Sequence, residues 1–252
     1  MVNEMNNRLN AYQQPIGDDL PDWTGAKLPG ATPLVGQYTR LERIDPEPHA
    51  AQLHQAYAEA PDARDWTYMT VGPFDTLAAY EAYLVRLVPS QDPMHYAVVD
   101  QASGAAVGTF ALMRVDAPNG VIEVGSVAFS RRMQKTRLGT DVMATLLKHV
   151  FVDLGYRRFE WKCDVLNAPS RAAALRFGFA HEGLFRQAIV TRGRNRDTAW
   201  YSIIDREYPA LATAYRNWLD PANFSSEGRQ IRSLSACIAE SRSGGGAVDR
   251  SA

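Results

Sequence analysis

The spacing of apolar positions predicts helices and strands along most of the chain. From residue 140 to residue 154, apolar side chains recur every three or four positions, which predicts a strongly amphipathic helix ended by Gly155. Similar spacing predicts further helices over 45–60, 75–88, 169–177 and 208–219. Alternation of apolar and polar residues predicts seven strands, over 37–44, 94–100, 105–115, 121–129, 158–165, 183–190 and 198–204.

Turns and helix caps indicate how these elements connect. Turn signals at Ser103-Gly104 and at 118–120 separate three consecutive strands, which predicts an antiparallel meander. Asp45 and Asp75 are expected to cap the first two helices. The polar segment 191–197 is expected to join the last two strands.

The two ends of the chain differ in composition from the middle. Residues 1–33 contain four prolines and several glycines, which predicts an extended arm. From residue 221 onward the chain is rich in serine, glycine and charge, so 221–252 is predicted to be a flexible polar tail. One domain is therefore expected over 34–220, and both extensions are candidates for contacts in a homodimer.

Composition excludes several classes of protein. With 46% apolar residues in 252, the chain has the composition of a globular protein, and 27 basic against 28 acidic residues give no field that favours nucleic acid. Cys163 and Cys237 have no partners at metal-ligand spacing, so no metal site is expected. Neither a signal peptide nor an apolar run of about 20 residues is present. We expect a cytoplasmic protein without membrane association.

The segment Gln134–Asp141 carries the strongest chemical signal, because a strand leads through a polar loop into the amphipathic helix. The first N–H groups of a helix have no partner within the helix and lie at the positive end of its dipole, so they can bind a pyrophosphate. Lys135, Arg137 and the hydroxyls of Thr136 and Thr140 would add to such a site. Without further signals, the same loop is also compatible with an ordinary polar start to a helix.

Together with Asn167, Ser170 and Gly178-Phe179, this loop resembles the GNAT acetyltransferase superfamily, in its RimJ/RimL-type branch, from about residue 37 to 208. In the family's loop a Gln or Arg is followed by two residues, Gly, one residue, and Gly or Ala. Gly139 matches the second small position, whereas Arg137 replaces the first glycine. The resemblance implies an α+β fold: a mixed, mostly antiparallel twisted sheet of about seven strands, flanked by helices, with a splayed pair of parallel strands.

The resemblance also implies acetyl-CoA as cosubstrate, with strand amides on the acetyl carbonyl and the loop on the pyrophosphate. The cofactor-binding residues that it implies are Val127, Ala128, Phe129, Gln134, Lys135, Thr136, Arg137, Leu138, Gly139, Thr140, Asn167 and Ser170.

Catalysis in this family is direct attack of a neutral amine on the thioester. The tyrosine that many relatives use on the leaving thiolate is Ala174 here, and Ser170 resembles the hydroxyl of the RimL-like branch. Glu123 is the candidate base, acting through a water. The alternatives are structural: a first-turn hydroxyl for Ser170, a helix cap for Asn167, and a salt-bridged strand residue for Glu123. Glu182 is expected to be structural.

Trp66 and Tyr68 lie in a loop that overhangs the acceptor site in this family, where they could shape a pocket for the amine. The alternative is that they are core aromatics that close the helical hairpin. The segment 191–197 is compatible with an acidic substrate or with a solvated hairpin. The histidines, including those at 49, 54 and 149, are expected to be surface or core residues.

The expected function is transfer of an acetyl group from acetyl-CoA to a primary amine, on a protein N-terminus or a small molecule. The alternative is a non-catalytic acyl-CoA-binding or regulatory module on the same fold. No GxxxxGK[ST] or GxGxxG pattern follows a strand, which disfavours a nucleotide-binding protein. The fold is compatible with many acceptors, so the sequence does not identify the amine.

Overall fold

This computed structural model describes residues 8–244, which form both helices and strands. The strands are β1 (Arg8–Leu9), β2 (Pro15–Ile16), β3 (Leu34–Val35), β4 (Thr39–Arg43), β5 (Met94–Asp100), β6 (Ala106–Asp116), β7 (Val121–Phe129), β8 (Arg158–Asp164), β9 (Ala180–Thr191) and β10 (Arg194–Ile204). The α-helices are α1 (Pro46–Ala58), α2 (Leu77–Leu87), α3 (Arg137–Lys148), α4 (Ala168–Arg176), α5 (Tyr208–Leu219) and α6 (Leu234–Gly244).

Eight strands form one sheet in the order β3-β4-β5-β6-β7-β8-β10-β9. Its neighbouring strands are antiparallel except β7 and β8, which are parallel. The predicted fold class and the β5-β6-β7 meander are thereby confirmed. The eighth strand is β3, and its two residues are too few to show an alternating pattern.

Helices cover both faces of the sheet. On one face, α3, α5 and α6 enclose the larger apolar core with the inward side chains of β5 to β8, whereas α1 and α2 cover part of the other face near β5 and β6. No helix among residues 8–244 combines the length and the apolar character needed to cross a membrane.

Helix boundaries follow local capping chemistry. The carboxylate of Asp45 accepts the N–H of Glu47 at 3.1 Å and caps α1, as predicted. Thr76 caps α2 by accepting the N–H of Ala79 at 3.2 Å, so the prediction of Asp75 as the cap is wrong by one residue. A cap must directly precede the first helical residue, and apolar spacing alone does not locate that residue this closely.

The amphipathic helix starts three residues earlier than its apolar pattern indicates, at Arg137. It continues through a π-helical turn, His149–Asp153, and the chain then reverses at Gly155, whose φ is +77°. Strands β9 and β10 extend to a two-residue turn at Arg192-Gly193, so residues 194–197, expected in a loop, lie in β10.

Both ends of the described chain are attached to the domain. The N–H groups of Ala26 and Lys27 donate to the carbonyls of Ala117 and Leu154, each at 2.9 Å, and the indole of Trp23 donates to the carbonyl of Pro118 at 2.7 Å. These bonds attach residues 23–27 to the turn between β6 and β7 and to the end of the α3 segment. The polar composition predicts a tail from residue 221, whereas the structure has α6 there, with Leu234 and two neighbouring side chains buried against α5. Residues 245–252 of that predicted tail lie outside the described residues.

The side chain of Asp141, in the first turn of α3, ties this helix to the edge of the sheet. Its buried carboxylate accepts the N–H groups of Gln37, Tyr38 and Thr39 at 3.0, 2.9 and 2.9 Å, and the Thr39 hydroxyl at 2.7 Å. A Cβ added at Gly36 would lie 2.4 Å from a carboxylate oxygen, so the turn approaches the helix as closely as glycine allows. Four donors make this buried charge fully hydrogen-bonded.

Replacing Asp141 with alanine should therefore cost about 3 to 5 kcal/mol of unfolding free energy, because two part-buried N–H groups and the buried N–H and hydroxyl of Thr39 lose their acceptor. The measurement is denaturant unfolding at pH 7. Asp75→Ala, at an exposed position outside the cap, is the matched control and should change stability by less than about 0.5 kcal/mol. A cost below about 1 kcal/mol for Asp141→Ala would show that the attachment is dispensable.

Candidate active site

A gap opens in the sheet where the two parallel strands separate. Residues Val121–Val124 of β7 pair with Arg158–Trp161 of β8. Beyond these four pairs, β7 runs on to Phe129 and β8 to Asp164 without pairing to each other. The carboxyl end of β7 therefore has an open edge on the side of β8.

A bulge in β7 lies at the start of the gap. Ser126 has a φ of +50°, and the register against β6 passes from Ala111–Gly125 to Thr109–Ala128, which places one extra residue on β7. The bulge was not predicted from the sequence, although an isolated glycine within a strand pattern, as at Gly125, is its usual signal.

The loop after β7 is organised by its own hydrogen bonds. The side-chain amide of Gln134 donates to the carbonyl of Phe129 at 2.6 Å. The Thr136 hydroxyl donates to the carbonyl of Met133 at 2.8 Å and accepts the N–H of Leu138 at 3.2 Å. Gln134 and Thr136 thus shape the loop, and Thr136 is the cap of α3.

The loop leaves polar groups available at the start of α3. The N–H groups of Arg137 and Gly139 belong to the first turn, where a helix provides no backbone acceptor. Lys135 is exposed, with a φ of +60°. The hydroxyl of Ser130 is buried at the base of the loop and has no hydrogen-bond partner among residues 8–244. This donor set suits an anion bound by main chain and one lysine.

Three predicted phosphate-loop side chains have other contacts. The guanidinium carbon of Arg137 lies 4.2 Å from the ring centroid of Tyr38. The hydroxyl of Thr140 is buried and accepts a hydrogen bond from Arg176 at 3.0 Å, so it does not reach the loop surface. Leu138 packs against the core. Side-chain contacts from Thr140 and Leu138 to a phosphate are therefore not supported by this geometry.

Asn167 and Ser170 begin α4, on the β8 side of the gap. The side-chain oxygen of Asn167 accepts the N–H of Ser170 at 3.1 Å, so Asn167 is a helix cap, and its amide nitrogen is not used in the cap. The Ser170 hydroxyl accepts the indole N–H of Trp161 at 3.0 Å. Because its oxygen is the acceptor there, the Ser170 O–H can donate elsewhere. Burial raises the pKa of the nearby Cys163 thiol, and a hydrogen bond with Ser170 opposes this effect.

Glu123 is a buried member of a charge network on the face of the sheet opposite α3. Its carboxylate lies 2.8 Å from the ammonium of Lys162 and 3.4 Å from the guanidinium of Arg114. Lys162 also contacts Glu160 at 2.6 Å and the ring of Trp200 at 3.8 Å. Burial raises the pKa of Glu123, and Lys162 opposes that rise. The salt-bridged alternative therefore describes its position in this structure.

The second carboxylate oxygen of Glu123 is directed along the strand. A Cβ added at Gly125 would lie 3.5 Å from it, whereas Lys162 and Arg114 contact the other oxygen. Glu182 is structural, as expected, because it pairs with Arg158 and accepts a 2.7 Å hydrogen bond from a strand serine.

The segment 66–69 forms a roof over the gap. The hydroxyl of Tyr68 donates to the carbonyl of Leu166 at 2.9 Å, next to the start of α4. Trp66 contacts Tyr57 and Phe74 edge to face, with ring centroids 5.3 and 5.7 Å apart. Trp66 is thus part of an aromatic cluster, and Tyr68 joins the roof to the segment after β8.

Two cavities lie on either side of Trp66. The inner one has room for about one water molecule. Its lining includes Trp66, Tyr80, Tyr83, His95, Thr109, Ser126 and Ala128. The outer one is an open cleft of about 420 Å³. Its lining is Ala63, Trp66, Thr67, Pro73, Arg192 and Arg194.

His95 is a buried histidine that faces the inner cavity. It is 6% exposed, and no hydrogen bond joins its ring to another described residue. Burial, with the positive charge of Arg43, lowers the pKa of His95 to about 4, so the ring is neutral at pH 7. His49 is also buried, paired with Glu42 at 3.0 Å, as expected for a core histidine. No group of three potential metal ligands converges within the described residues.

Comparisons with known proteins agree with this architecture. Residues 39–180 match the family described as "Acetyltransferase (GNAT) domain". A GCN5-related N-acetyltransferase from Brucella melitensis is 42% identical, with a TM-score of 0.85 over 87% of this chain and 100% of that one. The curated relatives include "Uncharacterized N-acetyltransferase p20" of Bacillus licheniformis, 26% identical over 45% of this chain, and "Putative ribosomal N-acetyltransferase YdaF" of Bacillus subtilis (strain 168), 28% identical over 42%. These two matches span 63% and 57% of the relatives' lengths.

The depressed pKa of His95 predicts a pH-dependent stability. The His95 ring takes up a proton near pH 6.5 in the unfolded state and only near pH 4 in the folded state. The contribution of neutral His95 to the free energy of unfolding is therefore fully present above pH 6.5 and is lost as the pH falls towards 4. The loss should reach about 3 kcal/mol. Denaturant unfolding from pH 4 to pH 7 should show this slope in the wild type relative to His95→Gln. The exposed-site variant His181→Gln should keep the wild-type slope, and a flat difference curve for His95→Gln would contradict the assignment.

Proposed function

Because this chain belongs to the GNAT acetyltransferase family, we propose that it transfers an acetyl group from acetyl-CoA to a primary amine, on a protein N-terminus or a small molecule. The observation that carries the proposal is the gap between β7 and β8, with the start of α3 at the end of β7. The Bacillus subtilis relative, named for ribosomal N-acetylation, supports the RimJ/RimL-type branch.

The residues around the gap fit acetyl-CoA as cosubstrate. The N–H groups of Arg137 and Gly139 and the side chain of Lys135 would hold the pyrophosphate. The open edge of Val127–Phe129 offers backbone donors for the pantetheine and the acetyl carbonyl. On the opposite side, the free amide nitrogen of Asn167 is a further donor.

The reaction forms a C–N bond between the amine and the acetyl carbon and breaks the C–S bond of the thioester. Backbone N–H groups of β7 would stabilise the negative charge that develops on the carbonyl oxygen. The leaving sulfur takes up a proton. We assign Ser170 as a hydrogen-bond donor to this sulfur, because its oxygen accepts the indole N–H of Trp161 and its O–H remains a donor. No covalent intermediate on the protein is involved.

The amine must lose a proton before or during its attack. We assign Glu123 as the proton acceptor, through a water, because one of its carboxylate oxygens is directed along β7 towards the gap. Lys162 and Arg114 on the other oxygen hold the side chain in place, and they also limit its basicity. The acceptor would approach beneath Trp66 and Tyr68.

Both cysteines are free and buried, which supports a cytoplasmic location.

Gly139 provides a test of cofactor binding. An alanine Cβ would lie 3.6 Å from Phe129, an ordinary contact, so Gly139→Ala should bind acetyl-CoA with nearly wild-type affinity. Gly139→Glu adds a negative charge at the start of α3 and should weaken binding by about a hundredfold or more. Titration calorimetry measures both, and thermal melting shows whether each variant is folded. Equal affinity for the folded glutamate and alanine variants would place the pyrophosphate elsewhere.

Thiol release from acetyl-CoA in the presence of an amine panel tests catalysis. Ser170→Ala and Glu123→Gln should each lower kcat by about a hundredfold, with the Kd for acetyl-CoA changed less than about threefold. Wild-type kcat in either variant would remove that residue from the mechanism. Normal acetyl-CoA binding without release for any amine would instead support the non-catalytic module.

A further inference from the structure

We propose that the acceptor carries a carboxylate near its amine and that Arg192 and Arg194 recognise this carboxylate in the outer cleft. The inference rests on the proposed function and adds to it the chemical class of the acceptor. The shared chemistry is an amine with an acidic group close by, as in an acidic peptide N-terminus or a free acidic amino acid.

The charges that line the cleft are uncompensated. Arg192 and Arg194 both line it, and no carboxylate lies within ion-pair distance of either among residues 8–244. Three other arginines around the roof are paired: Arg64 with Asp62, Arg131 with Asp65, and Arg132 with Glu59. The acidic residues nearest the roof are thus neutralised by these partners. A cleft whose own lining carries only positive charge attracts carboxylates and repels basic acceptors.

The hairpin that carries these arginines is fixed in position. Arg192 and Gly193 form a two-residue turn with φ values of +51° and +73°, the geometry that closes a tight hairpin between paired strands. Arg194 donates to the carbonyl of Thr67 at 3.1 Å, which joins the hairpin to the roof. A carbonyl carries no net charge, so this contact does not neutralise the positive charge of Arg194. A solvated, unattached hairpin would not place two guanidinium groups at one cleft.

The cleft also adjoins the predicted reaction centre. Trp66 is a wall of both cavities, and the inner cavity is bounded by Ser126 and Ala128 of β7, beside the open strand edge. The outer cleft therefore lies one side chain away from the strand that is proposed to hold the acetyl carbonyl. Ala63, Pro73 and the indole of Trp66 give it an apolar side opposite the arginines. This combination suits the short apolar link between an amine and a carboxylate.

The test compares matched acceptors. Two hexapeptides differ only in carrying glutamates or glutamines directly after the N-terminal residue. Free glutamate is compared with glutaminamide, in which both carboxylates are replaced by amides. Turnover is measured by thiol release, and binding to the CoA-saturated protein is measured separately by calorimetry. We expect the KM of the acidic acceptor to be lower than that of its neutral counterpart by about tenfold, with a similar kcat. The peptide arm and the free amino acid arm distinguish the two sources of the carboxylate.

Variants locate the selectivity. Arg192→Gln and Arg194→Gln should bring the KM ratio of neutral to acidic acceptor close to one, with the Kd for acetyl-CoA unchanged, and Arg192→Lys should restore part of the ratio. Arg206→Gln removes the same charge from an exposed position on the segment after β10 and should keep the full ratio.

The outcomes separate the two proposals. Equal kcat/KM for acidic and neutral acceptors, or binding of neither, overturns the inference. Preferential binding of the acidic peptide without any acetylation supports the cleft's selectivity and contradicts the proposed function. A selectivity that Arg206→Gln lowers as much as Arg192→Gln would also overturn the inference, because it would reflect overall charge.

Discussion

Two parallel strands that separate after four residue pairs leave an open backbone edge in the middle of a sheet. Unpaired backbone groups are costly when they are buried, so such an edge persists only where the surrounding structure holds it. Here the bulge at Ser126 changes the register of β7 against β6, and the Gln134 amide occupies the last carbonyl of the strand. The roof reaches across to the other side through Tyr68. The loop and the start of α3 follow the end of β7, and the inner cavity is bounded by Ser126 and Ala128 beside this opening.

The sequence predicted the features that depend on local pattern. The three central strands, the amphipathic helix and the loop before it follow from side-chain periodicity, because one face of each element is buried. The bulge is local too, but its signal, a single glycine within a strand, is easily taken for an ordinary strand position. Helix α6 was hidden by composition: Leu234, Cys237 and Ile238 have helical spacing within a segment that is otherwise rich in serine and charge.

The features that sequence did not predict depend on register between distant strands. Glu123 meets Lys162 because β7 pairs with β8, and Arg114 reaches it from β6. Nothing in the sequence near Glu123 identifies these partners. His95 lies within a strand whose alternation indicates burial, but its neighbours in the inner cavity come from α2, β7 and the roof. Arg194 meets Thr67 across 127 positions of the chain. Such pairings fix the electrostatics of the site, and they require the fold.

The turn at residues 36–39 has a consequence for how this architecture can vary. Gly36 has no room for a side chain beside Asp141 and Thr145. The next three residues donate four hydrogen bonds to the carboxylate of Asp141. Substitutions near the start of α3, where the cosubstrate would bind, are therefore restricted by residues that contact no substrate. The outer cleft is lined by exposed arginines on a hairpin tip, which is joined to the roof by a single kind of contact, the hydrogen bond from Arg194 to the carbonyl of Thr67. New acceptor preferences can thus arise at one end of the site without disturbing the other.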